Sequence, residues 1–249
     1  MFFIKEFLNN PAGKGATVLN ISAIKEKFTE RYEKILSEID YHIYTVKKDV
    51  YFLINIPSSV KGIKYDILIK FSPTSKSTGK SIADMEMQIF SNSPSFLYTY
   101  AHAYDVQGLF IKECKRKLSS QMLTDIAKAK NPYGILSYDF SVFAALHFIV
   151  SNDYLSMDVI NQYATKATIS EVIKHVKNAD ALQKDRKLQK NLNKLEAEEE
   201  LKEKKKALKY SSKKKDKPEE TENAKSVKNT KAVKKTKTTK TIKKVKKQK

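Results

Sequence analysis

Ile24, Phe28, Ile35 and Ile39 recur with Tyr32 and Leu36 at steps of three and four, and Lys25, Glu26, Lys27, Glu30, Arg31, Glu33 and Lys34 fall between them. The spacing predicts an amphipathic helix over 22–39, packed on one face, with Ser22 as its N-cap and Glu26 in its first turn. The lead-in carries Pro11, Gly13 and Gly15 and reads as an irregular arm over residues 1–15.

The period then changes. Residues 41–46 and 50–56 are rich in β-branched and aromatic side chains, and Lys47, Lys48 and Asp49 separate them as a short polar turn, which predicts a hairpin. Pro57 stops the second strand, and 65–71 reads as a third. Residues 72–80 are a polar loop with Pro73 and Gly79. Over 83–90, Met85, Met87 and Ile89 alternate with Asp84, Glu86 and Gln88, the two-residue period of a half-buried strand.

Ser93-Pro94 ends the sheet. Residues 96–104 carry four Tyr or Phe and suit either strand or helix; Gly108 divides them from 109–112. Residues 118–128 read as a helix ended by Asn131-Pro132, 138–150 as a buried helix started by Asp139, and 157–163 as a further helical piece. From Ser170 to Leu208 there is no Gly or Pro, and Ile173, Val176, Leu188, Leu192, Leu195, Leu201 and Leu208 form an irregular leucine-containing stripe. That predicts one long, charged, exposed helix able to form a short or partnered coiled coil. The expected architecture is α+β: a helix and a mostly antiparallel sheet of about four strands, then helices. The expected divisions are the arm, an α+β domain over 16–165, a long charged helix over 166–208 and a Lys-rich tail over 209–249.

Composition sharpens the end of the chain. The 249 residues carry 48 Lys+Arg against 28 Asp+Glu, a formal charge of +20. Residues 209–249 hold +13 of it, leaving +7 on residues 1–208, and after Ala224 there are twelve Lys and no acid. This tract has no aromatic residue beyond Tyr210 and too little apolar surface to offset chain entropy, so it is expected to be disordered. Lys225, Lys228, Lys231, Lys234, Lys235, Lys237, Lys240, Lys243, Lys244, Lys246, Lys247 and Lys249 would approach phosphates as point charges and release counterions. The tract has no Arg fork and no aromatic platform, so sequence readout is not expected. The competing roles for such a tail are solubilisation and attraction to an acidic protein or anionic membrane.

One cysteine, Cys114, leaves no disulfide framework and no multi-Cys zinc site. The longest apolar run, 142–150, is too short to span a bilayer, and MFFIKEFLNN lacks the basic start and unbroken apolar middle of a secretory signal. A soluble protein made in the cytoplasm is expected, with a virion or nucleoid location open to it.

Other candidate chemistry is weaker. Ser77-Thr78-Gly79-Lys80-Ser81 resembles the end of a phosphate-binding loop, but Thr74 stands where the motif needs Gly and the following segment reads as strand, so a hairpin loop is preferred. Asp66 with Glu86 and Gln88, or Asp84 with Glu113 and Lys115, loosely match the Asp…Glu-x-Lys pattern of metal-dependent nucleases, against the commoner reading of solvated charges on a wet sheet face. His42, His102, His147 and His175 lack metal-ligand spacing, and His147 reads as a hydrogen-bonded core residue. Cys114 has basic neighbours in Lys112, Lys115, Arg116 and Lys117 that would lower a thiol pKa; an inert buried thiol is the alternative. Phe96, Tyr98, Tyr100 and Tyr104 beside the same basic residues could stack bases, although core or subunit interface is the commoner use of such a cluster. No catalytic residue, metal or cofactor is assigned.

SPSFLYTYAHAYDVQGLFIKECKRKL, from Ser93, and NPYGILSYDFSVFAALHFIV, from Asn131, resemble uncharacterised structural proteins of tailed phages that infect low-GC bacteria. The resemblance covers about a quarter of the chain, carries no catalytic motif and implies a virion component or assembly factor without enzymatic activity. The expected function is therefore a non-enzymatic phage-type structural or assembly protein whose Lys-rich tail binds DNA electrostatically, without sequence specificity. A cellular nucleic-acid-binding protein and a metal-dependent nuclease are the alternatives.

Overall fold

The computed structural model describes Ile4, residues 18–127 and residues 139–213, with side chains from residue 26 to 205 across the described stretches. The first helix, α1, runs Val18–Ile35 and ends in a 3-10 turn, Leu36–Glu38. Ser22 thus lies inside the helix, not at its cap, because the helix begins four residues earlier than the apolar period alone suggests.

Strands β1 (Asp40–Val46), β2 (Asp49–Pro57), β3 (Lys64–Ser72) and β4 (Glu86–Ser91) follow as an antiparallel meander. The β1–β2 turn is Lys47-Lys48, closed by the Val46–Asp49 pair, with Lys47 at φ 56°. The 83–90 strand is shorter than its alternation implied: Ile82–Asp84 is a 3-10 turn capped by Ser81, whose hydroxyl accepts from Ala83 N. A fifth strand, β5 (Thr165–Lys166), adds to β1 in parallel, giving the order β4-β3-β2-β1-β5.

After the sheet, Phe96–Tyr100 is a π-helical turn running into α2 (Ala101–Val106), so the aromatic segment is helical. Gly108 takes φ 74° where the chain turns back, and Leu109 and Phe110 bond to Tyr104 O. A 3-10 stretch, Lys112–Lys117, leads to α3 (Ser120–Ala127). Helix α4 (Phe140–Ser151) starts as the sequence predicts, with the Asp139 carboxylate accepting from Val142 N. Then come α5 (Met157–Tyr163), α6 (Ile169–His175) and α7 (Ala179–Lys213).

The sheet is covered on both faces. Tyr41 and Phe52 meet Phe148 and Tyr154 on one side, and Phe28 of α1 packs in turn on Phe140 and Phe143 of α4. On the other side Tyr44 stacks on His175 of α6 and Phe90 meets Phe110. This is why β2 and β3 are buried over five consecutive residues, a pattern usual for sheets covered on both faces.

The expected long charged helix is present as α7, which starts at Ala179 and is preceded by the separate short helix α6. Val176 is extended and Asn178 caps α7, its Oδ1 accepting from Asp180 N and Ala181 N. Val172, Ile173, Val176, Ala179 and Leu182 belong to the main core. By contacts the chain divides into compact units of residues 1–200 and 201–249. Among the described residues, no helix is long and apolar enough to cross a membrane.

Candidate nucleic-acid interface

The twelve lysines from Lys225 to Lys249 lie outside the described residues. What the structure does describe is the helix that leads toward them and, within residues 1–200, the surface of the described stretches. On α7, Leu188, Leu192 and Leu195 are 63%, 51% and 57% exposed. Their steps of four and three place them on one face, while Ala179 and Leu182, which dock the helix start, lie on another.

The basic residues near the aromatic cluster are only partly available. Lys115 pairs with Asp105 at 2.7 Å. Arg116 and Lys117 line a cleft of about 410 Å³ together with Lys174, Ser170 and Asn178. The aromatic cluster does not form a stacking platform beside them. Phe96 and Tyr104 are fully buried and packed edge-to-face, and only Tyr98 is exposed, its hydroxyl accepting from Gln183 Nε2 at 3.4 Å. The helical conformation explains this: residues 96 and 104 share the inner face of one helical segment.

Cys114 is fully buried, and burial raises its thiol pKa well above the ordinary value. Glu113 adds to that rise, and Arg116 and Lys117 oppose it too weakly to matter. The basic-neighbour argument thus loses to desolvation. The loop around Gly79 carries its own anion. Asp84 Oδ2 accepts from Thr78 N at 2.7 Å and Thr78 Oγ1 at 2.8 Å, which holds its carboxyl below the usual range. Ser81 donates to Leu155 O, and no helix follows the loop in which a phosphate could be cradled.

Asp66 and Glu86 sit at opposite ends of the β3–β4 ladder, about 20 Å apart at strand rise, since Ile67 pairs with Ser91 and Ser72 with Glu86. Asp84 is committed to Thr78 and Lys115 to Asp105. Among the described residues no group of three or more His, Cys, Asp or Glu is placed to hold a metal ion. Asp66 is not on a wet face but fully buried, accepting from Asn55 Nδ2 (2.7 Å), Asn92 Nδ2 (3.2 Å) and Lys177 N (2.6 Å). Burial pushes its carboxyl up, and these hydrogen bonds pull it back in part.

A cavity of about 380 Å³ lies among α1, the start of β3, the Ser93–Ser95 turn, the first turn of α4 and α7. Its lining includes Arg31, Arg186, Tyr65, Ser93, Asp139 and Phe140. The Arg31 guanidinium lies 3.8 Å over the Phe140 ring. Arg186 Nε is buried and has no hydrogen-bond partner, an arrangement that costs about 1–3 kcal/mol for a neutral group and more for a charged one. Asp139 is committed to Ser93 Oγ (2.7 Å) and Val142 N (3.1 Å), and burial raises its carboxyl pKa. These residues are too far apart in the chain to form a motif. The one available signal was that only three of the 48 Lys+Arg are Arg, and two of those three meet here.

No protein-family model, curated protein or solved structure matches the chain.

Proposed function

We propose that the protein is a non-enzymatic structural or assembly protein, of the kind the phage resemblance implies, that binds DNA through Lys225–Lys249 without sequence specificity. The observation that carries this reading is the run of twelve lysines without one acid at the end of a chain of net charge +20. Each lysine that neutralises a phosphate releases a counterion, so affinity comes from charge density and not from base contacts. The groove of Arg116, Lys117 and Lys174 supports the reading as a second cationic surface on the compact part.

The body's share is self-association through α7. Leu188, Leu192 and Leu195 offer an apolar face. Lys184, Lys187, Lys190 and Lys194 precede a block formed by Glu196, Glu198, Glu199 and Glu200. Two antiparallel copies would set the basic half of one against the acidic block of the other, so a second copy of this chain is the occupant the charges favour.

DNA binding across a salt series, full chain against a chain ending at Leu208, tests the tail. With about six to ten contacts, log K falls against log salt with a slope of roughly −5 to −9, and the slope collapses in the shortened chain. Equal binding by the two chains, or binding by neither, removes the tail from the function.

A further inference from the structure

We propose that the cavity formed by Arg31, Arg186, Tyr65 and Ser93 binds an organic phosphate monoester, its phosphate on the two guanidiniums and its organic part against the ring-lined wall. This site is separate from the lysine tail and stands or falls independently of it.

Residue choice is the first argument. The chain supplies positive charge with Lys almost everywhere, and uses Arg three times. Lys would meet a general need for charge; a planar fork of fixed N–H donors is what a tetrahedral oxyanion rewards. Pairing is the second. Neither Arg31 nor Arg186 forms an ion pair among the described residues, and Arg186 Nε is buried without any acceptor. The carboxylate in the lining, Asp139, is already held by Ser93 Oγ and Val142 N. Two cations therefore face one committed acid, and the cavity is left positive.

Size and wall chemistry select the ester. At about 380 Å³ the space exceeds what inorganic phosphate fills and falls within the range of small-molecule sites. Phe28, Phe140 and Tyr100 give it flat apolar surface, and Tyr65 and Ser141 add hydroxyls, the Ser93 hydroxyl being spent on Asp139 and Phe96 N. A nucleotide has the matching pair of parts. It could be free or be the 5′ end of a nucleic-acid strand.

The test is isothermal titration of the full chain, at a salt concentration that screens the tail, with four probes. They are deoxyadenosine 5′-monophosphate, inorganic phosphate, and a short oligonucleotide with a 5′-phosphate or a 5′-hydroxyl. One equivalent of the nucleotide is expected to bind more tightly than inorganic phosphate. Arg186→Gln and Arg31→Ala are each expected to weaken it at least tenfold. Arg186→Lys, which keeps the charge and guards against misfolding, should weaken it several-fold with an unchanged urea midpoint. Replacing the twelve tail lysines by Gln should leave it intact. Competition by the 5′-phosphorylated strand, but not the 5′-hydroxyl strand, would identify a strand end as the source; binding of the mononucleotide alone would identify a free nucleotide. No binding at millimolar probe, binding indifferent to both arginines, or binding lost with the tail lysines would overturn the proposal.

Discussion

His147 shows how a side chain's surroundings decide its chemistry. It stacks on Phe143 and meets Tyr32 edge-on, and burial lowers its pKa while Glu33 pulls the other way. The unfolded chain takes up a proton near the ordinary histidine value of about 6.5, and the folded chain does so only at lower pH. The contribution is therefore present above that value and lost as pH falls from it toward the depressed folded pKa. Urea unfolding at pH 7.5 and 5 should show the native protein losing stability relative to His147→Gln as the pH drops. Parallel pH profiles would mean that His147 titrates alike in both states. Asp66 is a larger lever. It is fully buried, and its carboxylate accepts from Asn55, Asn92 and Lys177 N. Asp66→Ala leaves several buried donors unpaired and is expected to cost at least about 1–3 kcal/mol in urea unfolding. A loss under about 0.5 kcal/mol would show that water or rearrangement replaces the carboxylate.

Among the elements, β1, β2, β3 and α4 were legible because each carries its signal locally: β-branched runs bounded by turn residues, or an apolar stretch opened by Asp139. Two features were not. Strand β5 is two residues long, too short for any period, and exists because β1 offers a free edge. The break between α6 and α7 has no Gly or Pro to mark it. It is made by Asn178 as a cap and by Lys177 N bonding to Asp66, 111 residues away. Helix α7 thus has a docked start at Ala179 and Leu182 and an exposed continuation at Leu188, Leu192 and Leu195. The exposed part carries the prediction for self-association. The full chain, 28.5 kDa, should sediment as a dimer at micromolar concentration. Leu192→Glu with Leu195→Glu should return it to monomer without changing helix content by circular dichroism. A monomeric native protein would remove α7 as an interface.

At the scale of the whole molecule, charge and core are divided differently along the chain. The tail lysines were legible because charge density is a property of composition. The arginine cavity was not, because positions 31, 65, 93, 139 and 186 come together only through the fold. Among the described residues the main core takes no member beyond Leu182, whereas +13 of the net +20 charge lies in residues 209–249. Removing those residues lowers the charge to +7. Like charges concentrated on one molecule repel, and salt screens that repulsion over a Debye length of about 10 Å at 0.1 M. A chain ending at Leu208 should therefore unfold cooperatively in urea at a midpoint equal to or slightly above that of the full chain at low salt, with the difference vanishing at high salt. A midpoint that falls on truncation, at either salt, would show that residues 209–249 contribute packing as well as charge. The tail would then be acting as part of the folded body, and the proposed division between a structured docking unit and an electrostatic DNA-binding segment would have to be abandoned.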